Sequence, residues 1–117
     1  MALILFIDDE EPLRDLYREI LEQAGYEVMT ADDGTTGVEA YKKTRADVVI
    51  TDIFMPEKDG FDTIREILVE DPEAKIIAMT GYGVHNLELA YDIGACAVFE
   101  KPTSPREILA AIEGILD

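Results

Sequence analysis

The chain has 117 residues, 48% of them hydrophobic, with one cysteine and a net charge of −16 from 26 acids against 10 bases. That length supports one core and not two, so residues 1–117 are expected to form a single domain. So acidic a surface repels phosphate backbones and anionic lipid, which argues against direct nucleic-acid or membrane binding.

The first apolar run, Leu3 to Ile7, has no basic flank and meets Asp8-Asp9-Glu10 at once, so it predicts a strand and not a signal peptide. No run is long enough to span a bilayer, and a lone Cys96 fits a reducing, cytoplasmic setting, with buried filler as its expected role. A helix follows with Leu13, Leu16, Tyr17, Ile20, Leu21 and Ala24 at helical spacing on one face. Pro12 suits its first turn and Gly25 its stop. Glu27 to Thr30 reads as a second strand, and Thr35 to Lys43 as a weak helix held by Val38 and Tyr41.

Asp47 to Ile50 is a short β-branched run of the kind found in strands covered on both faces. It leads into Asp52 and breaks at Met55-Pro56. Helices are expected over Phe61 to Val69 and Val84 to Ile93, the latter poorly patterned, and a last one from the N-cap Ser104 onward. Strands are expected over Lys75 to Met79, ending in Thr80-Gly81, and over Cys96 to Phe99, running into Lys101-Pro102. Leu87 and Leu109 fall off their helices' stripes, which leaves two alternatives open: exposure as part of an apolar interaction face across helices four and five, or incomplete burial. His85 reads as a surface residue.

Five strands alternating with five helices imply an α/β fold with a doubly wound, five-stranded parallel sheet. Polar residues after the first and third strands suit the flavodoxin-like order 2-1-3-4-5, whose switch point gathers Asp8, Asp9 and Asp52. Three crowded carboxylates raise one another's pKa unless a cation intervenes. Oxygen ligands without Cys or His suit Mg²⁺. Thr80 and Lys101 close the neighbouring strands with a hydroxyl and an ammonium for phosphoryl oxygens, and Gly81 leaves room beside them. With Asp52 as nucleophile, these are the parts that phosphoryl transfer needs.

The motifs Asp8-Asp9-Glu10, Asp52-Ile53-Phe54-Met55-Pro56 with Asp59-Gly60, Thr80-Gly81, Gly94-Ala95 and Lys101-Pro102 together resemble the receiver domain of two-component response regulators, over essentially the whole chain. The resemblance implies that Asp52 is phosphorylated by a sensor histidine kinase or histidine phosphotransfer protein. It also implies Mg²⁺ on Asp9 and Asp52, with Asp8 joining through water and Phe54 through its backbone carbonyl. Thr80 and Lys101 would hold the phosphoryl group, and Lys101-Pro102 is a candidate cis peptide. The phosphodonor is expected to dock on the first helix near Leu13 and on the loops bearing Phe54 and Pro102. An output domain or target protein would read the switch, and a homodimer through helix 4, strand 5 and helix 5 is a further expectation.

One departure stands out. The family usually carries Tyr or Phe three residues before the lysine, where this chain has Val98; Phe99 falls on the opposite face. Tyr82 is then a candidate for controlling water access. A phosphatase of the haloacid dehalogenase type would need an acid at Phe54, and a flavodoxin would need a phosphate loop where Asp8-Asp9-Glu10-Glu11 stands. A receiver-like module that is never phosphorylated is the remaining alternative, and the intact set of Asp9, Asp52, Thr80 and Lys101 argues against it.

Overall fold

The structure, a computed structural model, describes residues 1–55, 58–81 and 84–117, with the backbone alone for 84 and 85. The expectations placed on Pro56, Tyr82 and the His85 side chain lie outside the described residues. Elements alternate as expected: β1 Leu3–Ile7, α1 Glu11–Gln23, β2 Glu27–Ala31, α2 Gly34–Lys43, β3 Val48–Asp52, α3 Gly60–Glu70, β4 Ile76–Thr80, α4 Val84–Ile93, β5 Ala97–Glu100 and α5 Pro105–Leu116. All pairings are parallel, in the order β2-β1-β3-β4-β5. The expected order therefore holds.

Each face of the sheet buries its own cluster. Leu5, Ile7, Val49, Ile76 and Ala78 point to the side where Val38 and Tyr41 of α2, Ile64 and Ile67 of α3 and Ala90 of α4 pack. Ile4, Phe6, Val48, Ile50, Ile77 and Met79 point to the other side, against Tyr17 and Leu21 of α1 and Ile108 and Ile112 of α5. The alternation of strand side chains produces this division. The central strands β3 and β4 are buried along their whole length, as sheets covered on both faces require.

Local chemistry fixes the ends of the helices. Asp33 caps α2, Asp59 caps α3 and Ser104 caps α5, each side chain accepting a backbone N–H, a contact worth about 1 kcal/mol. After α1, Gly25 turns the chain at φ +97°, a conformation that costs other residues. At Gly60 the constraint is space. A Cβ there would stand 2.3 Å from the Asp52 carbonyl oxygen, so only glycine lets α3 begin hard against the end of β3.

Several expectations about single residues need correction. Cys96 is exposed, not buried filler, because β5 starts one residue later, at Ala97. The α1 stripe is narrower than its spacing suggests: Tyr17 and Leu21 are buried, whereas Leu16 is 49% exposed and Ala24 is exposed too. Leu16 instead lines a groove with Leu13, Met79 and Pro102. For Leu87 and Leu109 the alternative of incomplete burial holds; Leu109 packs on the α1/α5 cluster and Leu87 lines a groove between α4 and β5 with Tyr91 and Val98. Val98 and Phe99 do face opposite sides, Val98 toward α4 and Phe99 toward α1 and α5.

Candidate functional site

The carboxyl ends of β1, β3, β4 and β5 meet at one edge of the sheet. Register decides which residues arrive together: Ile7 pairs with Thr51, Asp52 with Met79, and Thr80 with Glu100. Asp8 and Asp52 therefore emerge as neighbours, and the Lys101 N–H donates to the Thr80 carbonyl at 2.7 Å. That bond ties the end of β5 to the end of β4. The Lys101-Pro102 peptide is cis.

A cleft of about 390 Å³ opens here, lined by Asp9, Glu10, Asp52, Phe54, Gly81 and Lys101. On its floor the Lys101 ammonium lies 2.8 Å from Asp8 Oδ2, 3.4 Å from Asp52 Oδ1 and 3.8 Å from Glu10 Oε2. Asp8 is 1% exposed and Asp52 7%, so both carboxylates have lost nearly all their water. Burial pushes the Asp52 pKa from 3.8 up to about 6; Lys101 opposes the rise, and Asp8 and Asp9 add to it. Burial also works to lower the Lys101 pKa, but its hydrogen bond and ion pair to Asp8, then those to Asp52, outweigh that and hold it above the usual value.

Asp8, Asp9 and Asp52 each offer a carboxylate oxygen within 4.8 Å of the others, the one such group of metal-binding residues among the described ones. The set is all oxygen. One member, Asp52, is an acid whose charge the protein alone does not stabilise well. A hard divalent cation fits both properties, and Mg²⁺ tolerates few protein ligands because it keeps several waters.

Thr80 reaches the same strand end but is fully buried and does not line the cleft. Phe54, whose carbonyl the resemblance offers to the metal, stands here with three residues that the sequence did not single out for chemistry: Glu10, Tyr17 and Arg14. Glu10 and Phe54's exposed ring, at 42%, form the cleft rim. Tyr17 stacks on Phe6 with centroids 4.8 Å apart; burial raises its phenol pKa against the pull of nearby Lys101. Arg14 donates from Nη1 to the Asp8 carbonyl at 2.8 Å. Its place six residues after Asp8, one turn into a helix, is the sole sequence signal that could have marked it.

Residues 4–113 match the family model described as the response regulator receiver domain. The chain belongs to that family. It is 37% identical to the chemotaxis protein CheY of Thermotoga maritima, over 96% of this chain and 95% of that one. It is 31% identical to the alkaline phosphatase synthesis transcriptional regulatory protein PhoP of Bacillus subtilis, over 97% of this chain and 48% of that one. The crystal structure of a response regulator receiver domain protein from Clostridium thermocellum superposes with a TM-score of 0.94 at 36% identity, over 98% of this receiver domain and 94% of that chain. Among the described residues, no helix of the receiver is long and apolar enough to cross a membrane.

Proposed function

We propose that residues 1–117 act as one phosphoacceptor unit, in which Asp52 takes a phosphoryl group from a phosphohistidine. The observation that carries this reading is the position of the Lys101 ammonium between the buried carboxylates of Asp8 and Asp52, at the floor of a cleft open to a donor. An Asp52 oxygen attacks phosphorus in line as the P–N bond breaks; the histidine nitrogen keeps that electron pair. The product is an acyl phosphate on Asp52. Lys101 swings its charge from the Asp8 and Asp52 carboxylates to a phosphoryl oxygen, a transfer that stays within the same cleft. The Thr80 hydroxyl then has to leave its buried position to bond another oxygen, and that movement is the switch.

Asp9 and Asp52 would hold Mg²⁺ by their side chains, Phe54 by its carbonyl and Asp8 through water. Bound there, the ion supplies charge neutralisation for the crowded acids and for the phosphoryl oxygens. The protein assists its own phosphorylation and the later hydrolysis, without turning over a separate substrate. Mg²⁺ is expected to raise the thermal midpoint of the protein, by about 2.7 kcal/mol of stability at a hundredfold excess over Kd.

For the donor, a sensor histidine kinase or histidine phosphotransfer protein, the adjoining surface is suitable. A groove of about 430 Å³ runs beside the cleft between α1 and the β5–α5 loop, its walls including Leu13, Leu16, Met79, Pro102 and Pro105. An apolar helix face laid there would bring a histidine to Asp52. Downstream, the α4–β5 groove with the exposed Leu89 and Tyr91 is the proposed contact for an output domain, a target protein or a second copy. A cytoplasmic location belongs to the same reading, supported by the exposed free thiol of Cys96, which a reducing compartment keeps intact.

Acetyl phosphate with Mg²⁺ tests the proposal. Intact mass is expected to rise by one phosphoryl group, and Asp52→Asn to abolish the gain. Label that persists in Asp52→Asn would overturn the assignment. Protein that stays unlabelled with both acetyl phosphate and a phosphohistidine donor would instead favour the unphosphorylated module.

A further inference from the structure

The peptide unit joining Asp8 to Asp9 has one acid on each side, so its plane helps set where both carboxylates point. Asp8 itself is held tightly. Its N–H donates to the Ala31 carbonyl at 3.1 Å, its Oδ1 accepts the Glu10 N–H at 3.0 Å and its Oδ2 accepts Lys101 at 2.8 Å. The Asp8 carbonyl lies past Ile7, the last paired residue of β1, where no strand among the described residues supplies a donor. Arg14 reaches back from α1 and supplies one at 2.8 Å. Its own backbone N–H is fixed on the Glu10 carbonyl at 3.0 Å, so the helix braces the turn from both sides of the arginine.

From this geometry we infer that Arg14 is a positioning residue for the cation-binding acids: its guanidinium locks the Asp8–Asp9 peptide plane and thereby aims the Asp9 carboxylate. The inference rests on the proposed reading of those acids as a Mg²⁺ site and adds a residue that touches neither the ion nor the phosphoryl group. Two effects of opposite sign meet at Arg14. As a positive charge held against the Asp8 carbonyl it opposes a second cation nearby, so its charge alone would make removal tighten Mg²⁺ binding. As an anchor it pre-aims a ligand, so its removal weakens binding. Partners that orient metal ligands typically matter by 10–100-fold in affinity, whereas a charge on a half-buried side chain is partly screened. The anchoring effect dominates.

Isothermal titration of Mg²⁺ into the full chain, with no phosphodonor, reads the difference directly. Arg14→Met is expected to weaken binding about tenfold while far-ultraviolet circular dichroism stays that of the wild type. Arg14→Lys keeps the charge and loses the planar fork, so a weakening there is positional; several-fold is expected. An unchanged or tighter Kd in Arg14→Met, or a Kd for Arg14→Lys equal to that of the wild type, overturns the inference. Wild-type protein that binds no Mg²⁺ overturns it together with the metal site, a result distinct from either variant outcome.

Discussion

The Lys101 ammonium sits 2.8 Å from Oδ2 of Asp8, nearer than it comes to the proposed phosphoacceptor. Before any phosphoryl group arrives, the lysine is therefore the partner of a carboxylate that is 1% exposed. Lys101→Met would leave that acid buried without its cation. Because the lysine side chain is itself 19% accessible and water can enter the cleft, the cost is set at about 1–3 kcal/mol. Denaturant midpoints measure it. Adding Asp8→Asn to Lys101→Met should recover part of the loss, and a fully additive double variant would show that the pair is not coupled.

Asp52 makes the opposite prediction for its own removal. Its pKa rises from 3.8 to about 6 on folding, chiefly through burial, so the folded state favours the neutral form. That contribution is present below about pH 4 and is lost as pH rises through 6. At pH 7–8 the ionised carboxylate costs on the order of 1–2 kcal/mol, once screening by water in the open cleft is allowed for. Asp52→Asn should therefore be more stable than the wild type above pH 6 in metal-free buffer, and equal to it near pH 4. Thermal midpoints taken across that range check the sign. A gap that widens toward acid would contradict it.

At the other end of the sheet the Tyr41 hydroxyl donates to Asp71 Oδ2 at 2.8 Å, joining α2 to the residue that ends α3. Burial first, then Asp71, raise the tyrosine pKa to about 12, and the same bond lowers that of Asp71. The tyrosine contribution is present below pH 10 and lost as pH rises through 12; the aspartate contribution is lost in acid. Tyr41→Phe should cost about 1 kcal/mol at neutral pH and flatten the alkaline limb of the stability profile. Phosphorylation by acetyl phosphate should continue at the wild-type rate, because this contact lies away from the cleft.

Gly60 offers a test of how rigidly the proposed acceptor is mounted. An alanine Cβ would meet the Asp52 carbonyl oxygen and the Ile53 Cα at 2.3 and 2.6 Å, both backbone atoms that cannot rotate aside. Gly60→Ala should destabilise by about 1–3 kcal/mol and slow labelling of Asp52, as the strand end shifts to make room. Stability lost with an unchanged labelling rate would mean that the loop yields instead of the strand.

The five strands and five helices were legible in the chain because burial on two faces and helical spacing leave periodic marks, and the polar residues after the first and third strands pointed to the sheet order. Even the departure at Val98 and Phe99 was legible, since alternation alone assigns them to opposite faces. The remaining features depend on relations between segments distant in the chain. Leu16 and Ala24 share the helical spacing of Tyr17 and Leu21, yet are exposed. Cys96 is exposed because β5 starts one residue late. The preference of Lys101 for Asp8, 93 residues away, and the grip of Arg14 on the Asp8 carbonyl leave no periodic trace. They are consequences of strand register and helix docking, and periodicity carries information about neither.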